Sequence, residues 1–215
     1  MLFYLFNIIS VNFQLPCLAQ VDETNSSLRN PSSIIRLQNK YVFDVLPMNL
    51  EEVTDSADRI FSGTCISIEE IIDDPISHLE VVKYTFSIED GVKGVGSQDQ
   101  ISFKQWKPTT KSAGFSINKK YIVFLYPDST LGLTSPAGFQ QGTFLVEKQG
   151  LNRGVTYIKN SVNNIGLYRN LRTQRTISIK TDSYLNNYIS ECSEQGKPIK
   201  YKEFVSAVRH LVKNQ

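Results

Sequence analysis

The run Val82-Lys83-Tyr84-Thr85-Phe86-Ser87-Ile88-Glu89 switches between apolar and polar at every step. That is the period of a strand with one face buried and the other wet. A helix could gather no continuous apolar stripe from it, so this segment commits the chain to a β-sheet. Farther on, Tyr121-Ile122-Val123-Phe124-Leu125-Tyr126 is apolar on both faces and predicts the most deeply buried strand. Around these two lie shorter strand signals: residues 60–69, rich in Ile and Thr with Gly63 as a bulge or close approach; Ile101 and Phe103 leading to Trp106; a short piece at 131–133; 143–147 with Phe144 and Val146 inward; and 155–159 pairing with its neighbours. Gly91, Gly94 and Gly96 mark one turn, and residues 108–114 form a polar loop. Short strands separated by Gly and Pro turns argue for a barrel or sandwich rather than a doubly wound sheet.

Helical signals flank the strands. Pro47-Met48-Asn49 introduces a short helix, with Asn49 as N-cap and Glu52 at the reciprocal position, ending near Ser56. From residue 183 to 194, Tyr184, Leu185, Tyr188, Ile189 and Cys192 share a helical face, Thr181 or Asp182 caps the start, and Gly196 and Pro198 close it. Residues 201–213 place Phe204, Val205, Val208, Leu211 and Val212 on one stripe, with His210 on the far side. These two helices read as a hairpin packed on or beside the strands. The expected fold is mainly β: an OB-like β-barrel of five or more short antiparallel strands, with a C-terminal α-helical hairpin.

The first charged side chain is Asp22. Residues 2–11 supply an apolar stretch, Pro16 breaks it, and Cys17-Leu18-Ala19 gives small residues at the third and first positions before a cut after Ala19. The segment reads as a signal peptide over 1–19, although no Lys or Arg precedes the apolar stretch; an uncleaved anchor and a buried core element are the competing readings. Asn7, Asn12, Gln14 and Pro16 interrupt it as a membrane span, so no stable span is expected once it is removed. On this reading the protein is secreted or periplasmic, and nucleic acid is not an expected partner. The remaining organisation is a polar leader over 20–48, the barrel over 49–160, a basic linker over 161–180 and the helical hairpin over 181–215. Export would leave Cys65 and Cys192, either bridged or as buried thiols. Neither has the spacing or the His neighbours of a zinc site, and no metal or cofactor is expected.

Net charge is only +2, yet no acidic residue falls between Lys148 and Thr181, where Lys148, Arg153, Lys159, Arg169, Arg172, Arg175 and Lys180 are all basic. Either this stretch binds a polyanion such as an anionic glycan, or it is a solvated face. A second candidate is the loop Ser135-Pro136-Ala137-Gly138-Phe139-Gln140-Gln141-Gly142. Pro136 and Gly138 tighten it, Gln140 and Gln141 offer hydrogen bonds, and Gly142 allows a positive φ before the next strand. It either shapes the backbone or contacts a ligand, Ser135, Pro136, Gly138, Gln140 and Gln141 being the residues to watch.

The pieces Ala57-Asp58-Arg59-Ile60-Phe61-Ser62-Gly63, Tyr84-Thr85-Phe86-Ser87-Ile88 with Val92-Lys93-Gly94, and Lys120-Tyr121-Ile122-Val123-Phe124-Leu125 together resemble the netrin-like domain of the tissue inhibitors of metalloproteinases. The resemblance covers residues 57–126 and implies a five-stranded OB-like barrel. Residues 133–144 also resemble a segment of uncharacterised exported bacterial proteins, which implies no activity. The inhibitors chelate a catalytic zinc through the amine and carbonyl of an N-terminal Cys locked by disulfides. Here the expected mature end is Gln20, and too few cysteines remain to lock such an end.

Catalysis finds little support. Nucleophilic chemistry needs a base beside the nucleophile, and the two histidines, His78 and His210, have no triad-like flanks. Glu69, Glu70, Asp73 and Asp74 lack the spacing of a calcium loop and read as an acidic turn. Two function classes follow. One is an exported, non-catalytic binding module for a protein or anionic glycan, with a protease-inhibitor subtype implied by the resemblance. The other is an extracytoplasmic enzyme or accessory that assembles Glu69, Asp73 and His78 with the loop after Leu133.

Overall fold

A computed structural model describes residues 47–110, 114–148, 154–169, 188, 191–213 and 215, all within one compact unit. The expected mainly β architecture is what the chain adopts. Strands β1 (Arg59–Ile71), β2 (Val81–Lys93), β3 (Gln100–Trp106), β4 (Lys120–Leu125), β5 (Thr143–Lys148), β6 (Thr156–Asn160) and β7 (Ile199–Lys200) form one sheet in the order β3-β2-β1-β4-β5-β6-β7, every neighbouring pair antiparallel. Helices α1 (Leu50–Ser56), α2 (Lys107–Thr110) and α3 (Tyr201–Lys213) flank the sheet, and a 3-10 turn (Phe139–Gly142) leads into β5.

β1 is the hub, because β2 pairs along nearly its whole length while β4 takes the other edge from Arg59 to Thr64. Its pairing with β2 shifts register at three places, one of them between Ser62 and Gly63. Such bulges bend a strand and increase its twist, which lets one strand serve two diverging neighbours. At Gly63 an added Cβ would collide with the Ser87 carbonyl oxygen, so the close approach expected there is real. The sheet is not closed into a barrel by a continuous ladder. Instead the loop after β4 spans the gap: Leu133 makes a parallel bridge to Lys104 of β3, and Pro136 an antiparallel bridge to Leu125 of β4. An OB-like arrangement is compatible with this order.

β4 is apolar on both faces and divides two cores. Tyr121, Val123 and Leu125 join Phe61, Tyr84, Phe86, Phe103 and Phe115 on one side. Ile122 and Phe124 join Leu50, Val53, Phe144, Ile158, Phe204, Val208 and Leu211 on the other. The second core is where α1 and α3 dock. α1 carries the capping box read from its sequence: the Asn49 side chain accepts from Glu52 N and Glu52 Oε2 accepts from Asn49 N, both at 2.9 Å. α3 buries Phe204, Val205, Ala207, Val208 and Leu211, one stripe as the sequence pattern required.

Several expectations change. Gly91 lies inside β2 rather than in a turn, and the segment before α3 is strand β7, whose Ile199 is fully buried against β6. Of the first helix of the hairpin, residues 191–194 are helical as read, and its start at 181–187 lies outside the described residues. The Cys65 and Cys192 thiols are both free and buried, one in each core, with the sheet between them. Burial pushes both thiols above their usual pKa.

Candidate functional site

At the end of β3 the chain passes directly into α2, with Thr109 Oγ1 donating to the Trp106 carbonyl at 2.6 Å. Gln105, fully buried on the inner face, holds Thr109 from below through Nε2 at 3.1 Å. Trp106 therefore sits on a fixed backbone while its indole stays 43% exposed. Tyr126, which lines the same cleft, follows β4 and is held by the loop through three hydrogen bonds. Its N donates to Ser135 O at 3.1 Å, its carbonyl accepts from Thr134 Oγ1 at 2.7 Å, and its hydroxyl accepts from Gly138 N at 3.1 Å. A tight turn at 129–133 brings Leu133 in, through Ser129 N to Leu133 O at 2.8 Å.

Together Trp106, Thr109, Tyr126, Pro127, Ser129, Leu133, Thr134, Ser135 and Phe139 line an open cleft of about 260 Å³. Its walls are mostly aromatic or aliphatic. Their flanking polar groups are largely tied to one another, so the cleft is preorganised and presents apolar surface to solvent.

The loop residues singled out by sequence divide accordingly. Ser135 lines the cleft. Pro136 is buried in its bridge to Leu125, and Gly138 is buried with φ of 60°, where a Cβ would stand 2.9 Å from Met48 Sδ. Gln140 Oε1 accepts from Ser161 Oγ at 2.8 Å, and Gln141 Oε1 accepts from Met48 N at 2.6 Å. Gln141 thus ties Met48 to the loop, and Gln140 ties the loop to the end of β6 through a solvent-exposed bond. The positive φ values fall at Gly138 and Phe139, not at Gly142, which is needed because a Cβ there would meet the Ala137 backbone.

The basic segment is described only in part. Arg169 is exposed and lines a second hollow of about 300 Å³ with Ile165, Gly166, Tyr168, Ser193 and Glu194. Glu194 places a carboxylate on the rim that a polyanion would have to approach. The Tyr168 hydroxyl is buried without a hydrogen-bond partner among the described residues, and burial drives its pKa upward. Arg172 and Arg175 lie outside the described residues.

The acidic turn is structural at its centre. Asp74 is fully buried, its carboxylate accepting from Ile76 N, from Ser77 N and Oγ, and from Lys104 Nζ. The Lys104 ammonium and these donors hold the Asp74 carboxyl far below the usual carboxylate range. His78 and Asp73 pair at 3.5 Å with both side chains almost four-fifths exposed, and Glu69 pairs with Lys83 across the β1–β2 ladder at 3.9 Å. None of Glu69, Asp73 and His78 is among the residues that line the cleft. Among the described residues, no group of His, Cys, Asp or Glu has the geometry to hold a metal ion, and no helix is long and apolar enough to cross a membrane.

Sequence reasoning passed over Trp106, Tyr126 and Phe139 as site residues. The available signal was the chain's one tryptophan at a strand end followed by Lys-Pro, a place where a buried indole would not be expected. No known protein family matches the chain by sequence, and no curated protein does.

Proposed function

We propose that the protein is a non-catalytic binding module, acting after export, that grips an extended segment of a protein partner in the cleft between Trp106 and Phe139. The observation that carries this reading is the 43% exposed Trp106, which lines one cleft with Tyr126, Leu133 and Phe139. Rigid aromatic anchors in a preformed hollow are where binding energy concentrates at protein interfaces. An exposed apolar surface of this kind is also costly to maintain unless something covers it.

The test is binding of a peptide library followed by Trp106→Ala. The substitution is expected to cost about 2 kcal/mol, roughly 30-fold in Kd, for a peptide that shifts the Trp106 emission. Equal binding by the variant would move the site elsewhere. The inhibitor subtype rests on the netrin-like resemblance, supported by an OB-compatible strand order in which β1 pairs with both β2 and β4. A panel of metalloproteases left fully active by excess protein would end it. The enzyme reading rests on Glu69, Asp73 and His78 with the loop after Leu133, and a substrate turned over equally by the parent and by His78→Ala would remove His78 from that site.

A further inference from the structure

None of the nine described residues that line the cleft is charged, so a charged side chain would find no counter-ion among them. What the cleft offers in hydrogen bonds is lopsided. Six of the nine backbone carbonyls already accept within the protein: Trp106 from Thr109 Oγ1, Tyr126 from Thr134 Oγ1, Ser129 from Gly132 N, Leu133 from Ser129 N, Ser135 from Tyr126 N and Phe139 from Thr143 Oγ1. Few acceptors are left for the N–H groups of a bound segment. Donors are left. The Trp106 indole N–H and the Ser135 hydroxyl make no hydrogen bond among the described residues. Ser129 Oγ accepts from Leu133 N at 3.2 Å and keeps its own proton to give.

A segment matched to this surface is rich in carbonyls, poor in N–H groups and apolar in its side chains. An ordinary extended peptide is not, because it carries one N–H for every carbonyl. Proline is, since its ring removes the N–H and leaves the carbonyl. A run of prolines also holds the polyproline II helix by itself, at about 3.1 Å per residue, so little order has to be imposed on binding. Aromatic-lined grooves are where such helices dock. Trp106, Tyr126 and Phe139 supply that lining here.

We propose that the segment gripped by the cleft is proline-rich and bound as a polyproline II helix, its rings packed on the aromatic walls and one of its carbonyls accepting from the Trp106 indole N–H. This rests on reading the cleft as a site for an extended segment of a protein partner, and it states the chemistry of that segment. The match is of donors to acceptors and of uncharged surface to uncharged surface. Trp106 then has two separable parts, a ring and a donor.

The experiment uses the full chain and two fluorescein-labelled decamers, one of proline alone and one in which every second proline is alanine. The alanines restore N–H groups that the cleft leaves unpaired. Read by anisotropy, the proline decamer is expected to bind the parent about tenfold more tightly than the mixed one. Trp106→Phe keeps a ring and loses the indole N–H, and should weaken the proline decamer about fivefold with an unchanged circular dichroism spectrum. Equal affinity for the two decamers, or no binding of the proline decamer, overturns the proposal. So does a Trp106→Phe chain that binds it as tightly as the parent. Should Trp106→Phe lose its fold, the comparison of the two decamers on the parent decides. The broader reading fails separately: library peptides without proline that bind the parent and lose affinity in Trp106→Ala leave the cleft a binding site of another preference, whereas no peptide binding at all removes both.

Discussion

The two cores that share β4 are built from different materials. The core enclosed by β1–β4 is a ring network: Phe86 meets Phe61, Phe103, Phe115 and Tyr121 with centroids 5.1 to 6.3 Å apart. Its members come from a continuous stretch between Phe61 and Leu125. The helix-covered core draws on Leu50 at one end of the described chain and Leu211 at the other, and among the described residues its buried rings are three, Phe124, Phe144 and Phe204, with Phe144 lying 4.6 Å from Phe204. The first core can form as soon as neighbouring strands pair, whereas the second waits until the C-terminal helix returns over the sheet. Contacts between distant segments carry a larger loop-closure cost, so the second core should be the weaker and the later to form.

That comparison can be broken most forcefully at Phe86. Phe86→Ala removes a fully buried ring with four ring neighbours and should cost about 4 kcal/mol in denaturant unfolding, because the cavity would lie at the centre of the network. Phe204→Ala removes a ring with two such neighbours, Phe124 and Phe144, and should cost about 3 kcal/mol. Its loss should show first in helical signal, with the aromatic core intact. If both signals vanish together, the cores are one cooperative unit. Asn49→Ala breaks the capping box of α1 and should cost about 1 kcal/mol, confined to the helix-covered side.

The gentlest probe needs no substitution. Each core holds one cysteine, and a buried thiol with a raised pKa reacts only after local opening. Native-state thiol labelling, with sites identified by peptide mass, should modify Cys192 before Cys65, since Cys192 is 5% exposed and Cys65 fully buried. Asn49→Ala should hasten Cys192 and leave Cys65 unchanged. Equal acceleration of both would show that the cores do not open separately.

Much of the aromatic core was legible because period 2 names both the strand and its inward face, and residues 82–88 do this without ambiguity. The two-faced burial of β4 was legible for the complementary reason, a lack of any polar position between Tyr121 and Leu125. α1 and α3 were legible from a capping box and a 3.6-residue stripe. β7 was not, because two residues carry no period and their pairing is decided by where β6 happens to lie. The cleft was harder still. The 133–142 loop has the composition of a contact loop, but its Gln side chains bond to partners 21 and 93 positions away in sequence, and no local pattern encodes such partners. The tryptophan that lines the cleft reads as the last residue of a strand until Tyr126 and Phe139 are found lining the same hollow.

The alternation along β4 also acts as a check on assembly. A slip of one residue would send Ile122 and Phe124 among the rings and turn Tyr121, Val123 and Leu125 toward the helices, so both interiors would be mispacked by the same error. An ordinary strand with one wet face is inspected from one side alone. β4 is inspected from both, and a misaligned chain finds no partial refuge in which one half of the molecule is already right.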